Sequence, residues 1–333
     1  MKQNMVMKLS GISIVFLLIG MSWVSADATA SKHPTETVPL GIYMVELGDF
    51  DPKSSSFRAN FWLWAVTPSK MSNWIQTLDY PTGIDVKKIT AKENLVDGKL
   101  WASVNVMGKF RTNWDLKGFP INRPSLQIQI EETSLDSSNL FFSADKINSS
   151  AKDALLPAGW RISDFSIESG SHRYTTNFGD PSKTTQSSSE YSEVRIRIEL
   201  ERESFAVFWK MTIIPYLAAI LVLLSFFVVF RFEMLVIARI PILIGSLFSV
   251  SLSMRGGTSE LGTADVFTLL DSIHVTTFAL ILITFLWTIS SDKIFRHDSD
   301  EKNIKFWNML MGVALLVIYA AVNAVLVLSA LKN

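Results

Sequence analysis

Four stretches of this chain are apolar over a greater length than a strand or an ordinary core helix needs: about 206–230, 235–254, 266–290 and 306–331. A helix needs about 20 residues to cross roughly 30 Å of hydrocarbon, so each stretch predicts a membrane span. Before them the period changes from that of a helix to that of a strand. In Val194-Arg195-Ile196-Arg197-Ile198-Glu199-Leu200 apolar residues alternate strictly with charged ones, which puts one face in a core and the other in water. Leu126 to Ile130 repeats the alternation, and clusters such as Asp136-Ser137-Ser138-Asn139 supply turns. Many short strands of this kind predict an all-β, immunoglobulin-like sandwich over 27–204, followed by an all-α four-helix transmembrane bundle over 205–333.

The first residues read differently. Lys2 and Lys8 precede an apolar run from Ile12 to Met21, and small residues end it at Val24-Ser25-Ala26 before Asp27. That pattern predicts a secretory signal peptide over 1–26, with an uncleaved anchor as the alternative. Export places the N-terminus of the mature chain outside, so the first span runs inward and the C-terminal Lys332 ends outside. Lys293, Arg296, Lys302 and Lys305 then fall in an inner linker, against Arg255 alone in the short outer one, as the positive-inside bias requires.

The second span is unlike its neighbours. Ser246, Ser249, Ser251 and Ser253 interrupt it, and Ser246, Ser249 and Ser253 share a helical face. Such a stripe suits the wet wall of a pore, or else helix packing inside the membrane, where serine is equally at home.

Composition narrows the function. The formal net charge is zero and no basic cluster stands out, which removes the electrostatic case for nucleic acid. With no cysteine there is neither a disulfide framework nor a thiolate metal site. His33, His172, His274 and His297 lie in four different segments without a second ligand at metal-like spacing, so no metal or other cofactor is expected. No phosphate loop, Gly-x-Ser-x-Gly elbow or paired-acid arrangement points to an enzyme. Asp271 and His274 share a face of the third span, as a polar packing pair or as a contact that acid strengthens. Asp265 and Asp271 are expected at the membrane interface or facing the bundle.

Several strings resemble the prokaryotic pentameric ligand-gated ion channels, relatives of the neurotransmitter-gated receptors. Gly41-Ile42-Tyr43-Met44-Val45-Glu46 with Phe57-Arg58-Ala59-Asn60 resembles the opening strand pair of their extracellular domain. Trp114-Asp115-Leu116-Lys117-Gly118-Phe119-Pro120-Ile121-Asn122 is similar to the loop that meets the membrane domain, whose usual form is aromatic-Pro-aromatic-Asp. Gly159-Trp160-Arg161-Ile162-Ser163-Asp164-Phe165 resembles a later strand, and Arg202, Phe205 and Pro215 resemble the junction and first span. Ala238-Arg239 and Asp271 have a separation similar to that in the animal inhibitory receptors.

The resemblance implies a homopentamer in a bacterial inner membrane, with its N-terminal domain and C-terminus in the periplasm. A small agonist or protons would open a pore that conducts inorganic ions. The Arg239 register implies a pore lined by Pro241, Gly245, Phe248, Leu252 and Arg255, with Phe248 and Leu252 as a hydrophobic constriction. Counting from Pro215 instead, with Glu233 at the inner mouth, moves the gate to Ile244 and Phe248. Arg239 leans toward anions and Glu233 toward cations, so selectivity stays open.

Coupling between the domains would use Phe119, Pro120, Asn122 and Arg202. Asn122 stands where relatives have Asp, which turns a charged contact to Arg202 into a neutral-acceptor hydrogen bond. The Trp-x-Pro segment of the family's agonist pocket is missing between Ile84 and Trp101. Tyr174 and Phe178, in the long hairpin 172–190, are left as ligand-binding aromatics, or as residues that only stabilise the hairpin. The alternative to a channel is a non-conducting membrane-anchored sensor or scaffold of the same fold.

Overall fold

The computed structural model describes residues 36–68, 74–181, 188–227, 232–261, 266–295 and 301–332. The expected signal peptide, Asp265, Arg296, His33 and His297 lie outside these residues, as do the side chains of Glu233 and Lys293.

Strand-forming alternation governs the first part. The elements in chain order are β1 (Glu36–Asp51), β2 (Ser56–Pro68), the one-turn helix α1 (Trp74–Thr77), β3 (Leu78–Asp79), β4 (Gly83–Val96), β5 (Lys99–Arg111), β6 (Ser125–Asp136), β7 (Leu140–Ala144), β8 (Trp160–Tyr174) and β9 (Ser189–Arg202). They form two sheets, one ordered β4-β5-β2-β1-β7 and the other β3-β6-β9-β8. Neighbours pair antiparallel except β1 and β7, which run parallel.

Alternate residues of each strand point into the space between the sheets. Phe57, Ala59, Phe61, Leu63 and Ala65 of β2 are fully buried there, as are Leu126, Ile128 and Ile130 of β6 and Val194, Ile196, Ile198 and Leu200 of β9. Burying one such aliphatic or aromatic side chain contributes about 1.5–3 kcal/mol, which lets a cysteine-free sandwich hold by packing. The buried cluster continues through Trp114, Leu116 and Phe119 to Leu261 and Leu270 of the helical part.

Four helices follow: α2 (Ala206–Leu224), α3 (Phe232–Leu261), α4 (Leu269–Phe295) and α5 (Glu301–Lys332). All four are long and apolar enough to cross a membrane. Their polarity is inverted relative to a water-soluble bundle. Leu217 and Ile220 of α2, Leu282 and Leu286 of α4 and Val317, Val325 and Leu328 of α5 face outward, whereas Thr212, Thr277, Thr284 and Thr288 are buried. Each of these threonine hydroxyls donates to the carbonyl one turn earlier, at Phe208, Ile273, Leu280 and Thr284, over 2.7–2.8 Å. Apolar outside and self-satisfied polar inside is the arrangement that a hydrocarbon solvent selects.

Inside the bundle Arg239 of α3 is 3 % exposed. Its guanidinium donates to the Ser225 carbonyl (3.0 Å), Thr288 Oγ1 (3.3 Å) and Asn308 Oδ1 (3.3 Å), and lies 4.3 Å from the centre of the Phe226 ring. A single side chain thereby ties α3 to the end of α2, to α4 and to α5.

Candidate functional site

Three places bring together residues singled out in the sequence. The first is the outward face of the four-stranded sheet. Glu131 of β6 and Gly170 of β8 both lie opposite Glu193 of β9, and His172 lies opposite Tyr191. Residues two apart on a strand share a face, so Glu131, Glu193, His172, Tyr174 and Tyr191 all stand on one surface. Two carboxylates directly opposite each other repel, yet Glu131 and Glu193 are almost wholly buried. Gly170 makes room for them, because a Cβ there would stand 3.3 Å from Glu193 Oε1.

Partners divide the carboxylate oxygens. Tyr174 donates its hydroxyl to Glu131 Oε2 at 2.7 Å, and Arg195 pairs with Glu193 Oε1. His172 Nδ1 stands 3.0 Å from Glu131 Oε1 and 3.9 Å from Glu193 Oε2. Burial, and then the hydrogen bond and charge of Glu131, push the Tyr174 phenol well above its ordinary range, so it remains a donor. The His172 and Tyr174 rings stack at 4.4 Å, and Phe178 meets Tyr174 edge-on at 5.2 Å with Tyr191 at 6.3 Å. The two expected ligand-binding aromatics are thus neighbours. Phe178 is 61 % exposed and takes a positive φ of 55°. His172 and Tyr174 belong to strand β8, whereas the local composition predicts both in the exposed hairpin.

Histidine spacing is a poor guide here too. No single segment holds two ligands, but Glu131, His172 and Glu193 come within 4.8 Å of one another from three adjacent strands. Strand register, not sequence spacing, creates the cluster.

The second place is the loop between β5 and β6. Its carbonyls at Lys117 and Phe119 accept from the backbone N–H groups of Leu269 (2.8 Å) and Leu270 (3.2 Å) at the start of α4. Phe119 and Pro120 are buried and joined by a cis peptide bond, and Ile121, like Leu326, Val327 and Ala330 of α5, packs against the buried cluster of Phe208, Leu269 and Ile273. The expected hydrogen bond between Asn122 and Arg202 does not form. Asn122 Nδ2 donates to the Asp115 carbonyl at 3.0 Å, closing its own loop, while the Arg202 guanidinium stacks 3.8 Å over the Trp160 ring. Trp160 and Arg202 are cross-strand partners, so the stack is set by register. Burial lowers the Arg202 pKa from its ordinary value, though arginine remains charged.

At the same place Asp271 does not meet His274. Its Oδ2 accepts from Thr268 N (2.9 Å) and Thr268 Oγ1 (2.7 Å), and Thr268 Oγ1 accepts in return from Asp271 N (3.1 Å). This is a reciprocal capping box at the N-terminus of α4, and Thr268-Leu269-Leu270-Asp271 carries its sequence signal. His274 instead bonds the Leu270 carbonyl (2.7 Å) and Ser253 Oγ of α3 (3.2 Å).

The third place is α3 itself. Arg239, Leu243, Ser246, Val250 and Gly257 are buried, at intervals that keep them on one side. At about 100° per residue, Pro241, Phe248, Leu252 and Arg255 lie within about 30° of the opposite direction, and Gly245 and Ile244 within about 50°. Within the single chain all six are exposed. The serine stripe points elsewhere: Ser246 is buried, Ser253 bonds His274, and Ser246 and Ser249 line a groove against Ile214 and Leu217 of α2. Packing accounts for Ser246 and Ser253, while Ser249 is exposed within the single chain. Arg239 likewise points into the bundle, away from the Phe248 side.

No protein-family model matches this chain, and no curated protein matches it.

Proposed function

We propose that this chain is one subunit of a pentameric ion channel of the ligand-gated class, set in a bacterial inner membrane with its β-domain in the periplasm. One observation carries the proposal: the face of α3 that lies opposite its packing stripe bears Pro241, Gly245, Phe248, Leu252 and Arg255, and all five are exposed within the single chain. Five such faces around an axis would make a pore with Phe248 and Leu252 as a constriction that closes by dewetting. The Arg239 count and the Pro215 count both include Phe248.

Two further features support gating from outside. The aromatic cluster of Tyr174, Phe178 and Tyr191, above two buried carboxylates, suits a cationic ligand. The β5–β6 loop is hydrogen-bonded to the first turn of α4, so a shift of the sandwich is felt at the helix that packs on α3. An agonist opens such a channel only by binding the open form more tightly, and a hundredfold preference per site is worth about 2.7 kcal/mol.

The test is current through purified protein in planar bilayers, across a pH series, for the native chain and Phe248→Ala. Altered current in the variant supports the pore, and the reversal potential in asymmetric salt assigns selectivity. A pentamer confirmed by mass that stays silent in both forms overturns conduction and favours a sensor or scaffold. Cysteines placed singly along α3 of this cysteine-free chain give a second readout, since a pore predicts water-accessible thiols at 241, 248, 252 and 255.

A further inference from the structure

We propose that Glu131, His172 and Glu193 form a binding site for a divalent transition-metal ion, with Zn²⁺ the ion best matched to the donors. The atoms left over after the protein's own hydrogen bond and ion pair define it. Glu131 Oε2 is taken by the Tyr174 hydroxyl and Glu193 Oε1 by Arg195, which leaves Glu131 Oε1, Glu193 Oε2 and His172 Nδ1 turned to one another. Glu193 is fully buried, and its Oε2 accepts no hydrogen bond. A buried carboxylate oxygen aimed at an imidazole nitrogen 3.9 Å away is too far to bond it and well placed to share an ion with it.

The spacing fits. Bonds of about 2.0–2.1 Å to a tetrahedral Zn²⁺ set their ligand atoms about 3.3 Å apart. The separations from His172 Nδ1, 3.0 and 3.9 Å, bracket that value. One imidazole with two carboxylates favours Zn²⁺ over Ca²⁺ or Mg²⁺, which prefer all-oxygen shells. The His172 side chain is 38 % exposed, so the ion has a path from solvent and a position for water. An ion there would relieve the repulsion between two carboxylates that register places face to face. Tyr174 bridges the site to the aromatic cluster, because it bonds Glu131 and stacks on His172.

The site requires only the register of three strands, so it stands whether or not the protein conducts. The experiment is a titration of Zn²⁺ alone into the purified full-length protein in detergent, in competition with a chromogenic chelator at neutral pH. The expected result is one ion per chain, with affinity reduced at least about tenfold in His172→Asn and in Glu193→Gln, the low end of what even outer-shell changes cost. Excess Ca²⁺ should not displace it, and His33→Asn should leave it unchanged. Since His172 is partly exposed, His172→Asn decides the matter even if Glu193→Gln misfolds. X-ray absorption at the zinc edge should report a single imidazole among oxygen donors. Absence of binding, or a titration that His172→Asn does not alter, overturns the proposal.

Discussion

Replacing Arg239 tests whether the polar network inside the bundle stabilises the helices. Its guanidinium makes three hydrogen bonds, the one to the Ser225 carbonyl at 3.0 Å and two at 3.3 Å, and it lies against the Phe226 ring. Not all are lost equally. Asn308 Oδ1 keeps Trp287 Nε1 as a donor at 3.2 Å, and the Thr288 hydroxyl keeps its bond to the Thr284 carbonyl at 2.7 Å, so the Ser225 carbonyl bears most of the loss. A hydrogen bond to a charged group is worth about 1.5–3 kcal/mol and the ring contact about 1 kcal/mol more, partly offset by freeing a buried charge. The net expected for Arg239→Gln is a destabilisation of about 3 kcal/mol. Arg239→Lys should lose nearly as much, since an ammonium cannot span three acceptors on different elements. The assay is thermal unfolding of the detergent-solubilised protein, followed by tryptophan fluorescence and by retention on gel filtration. A double-mutant cycle with Asn308→Ala should give a coupling of about 0.5–3 kcal/mol. Arg239→Met is the critical variant: if it unfolds with or above the native protein, the buried charge is a burden and the reasoning fails.

The remaining predictions concern the junction and the sandwich. Thr268→Ala removes one side of the capping box at α4 and should destabilise that end by about 1 kcal/mol. Because the β5–β6 loop bonds the same turn, the proposed channel function requires the variant also to shift the pH dependence of the bilayer current; an unchanged pH response would separate cap from coupling. In the sandwich, burial raises the Asp145 pKa, but hydrogen bonds from Asn148 and Trp64 outweigh it and leave the carboxyl below its ordinary value. A depressed folded pKa gives stability that is present above the ordinary carboxylate range and is lost as pH falls through the folded value. Asp145→Asn should therefore be less stable than the native protein at neutral pH, and the gap in unfolding midpoint should narrow in acid. A gap that is constant with pH would show that the charge contributes nothing.

Local pattern determined a great deal. Strict alternation in Val194 to Leu200 is enough to place Ile196 and Ile198 in a core, because a strand has only two faces and water accepts only one of them. Apolar length is enough to expect four helices able to cross a membrane, because backbone groups in hydrocarbon must satisfy one another. The Thr268-x-x-Asp271 cap is also written in the chain, where the shared face of Asp271 and His274 competes with it as a signal.

Direction is another matter. Ser246, Ser249 and Ser253 of α3 share a helical face, but periodicity says only that they point together; the hydroxyl of Ser253 finds His274, Ser246 turns into the bundle and Ser249 stays exposed. By position Arg239 is a charge near the inner end of its span, and three acceptors from three other elements draw it inward. Analogy pairs Asn122 with Arg202, yet each has a nearer partner. Glu131, His172 and Glu193 belong to strands whose register no single segment encodes, and only their pairing brings two carboxylates and an imidazole to one point. The order of residues settles which positions are apolar, which are charged and with what period they recur. The tertiary structure decided which of them meet, because a side chain's partner is set by strand register and helix rotation, and both are settled by the packing of the whole chain.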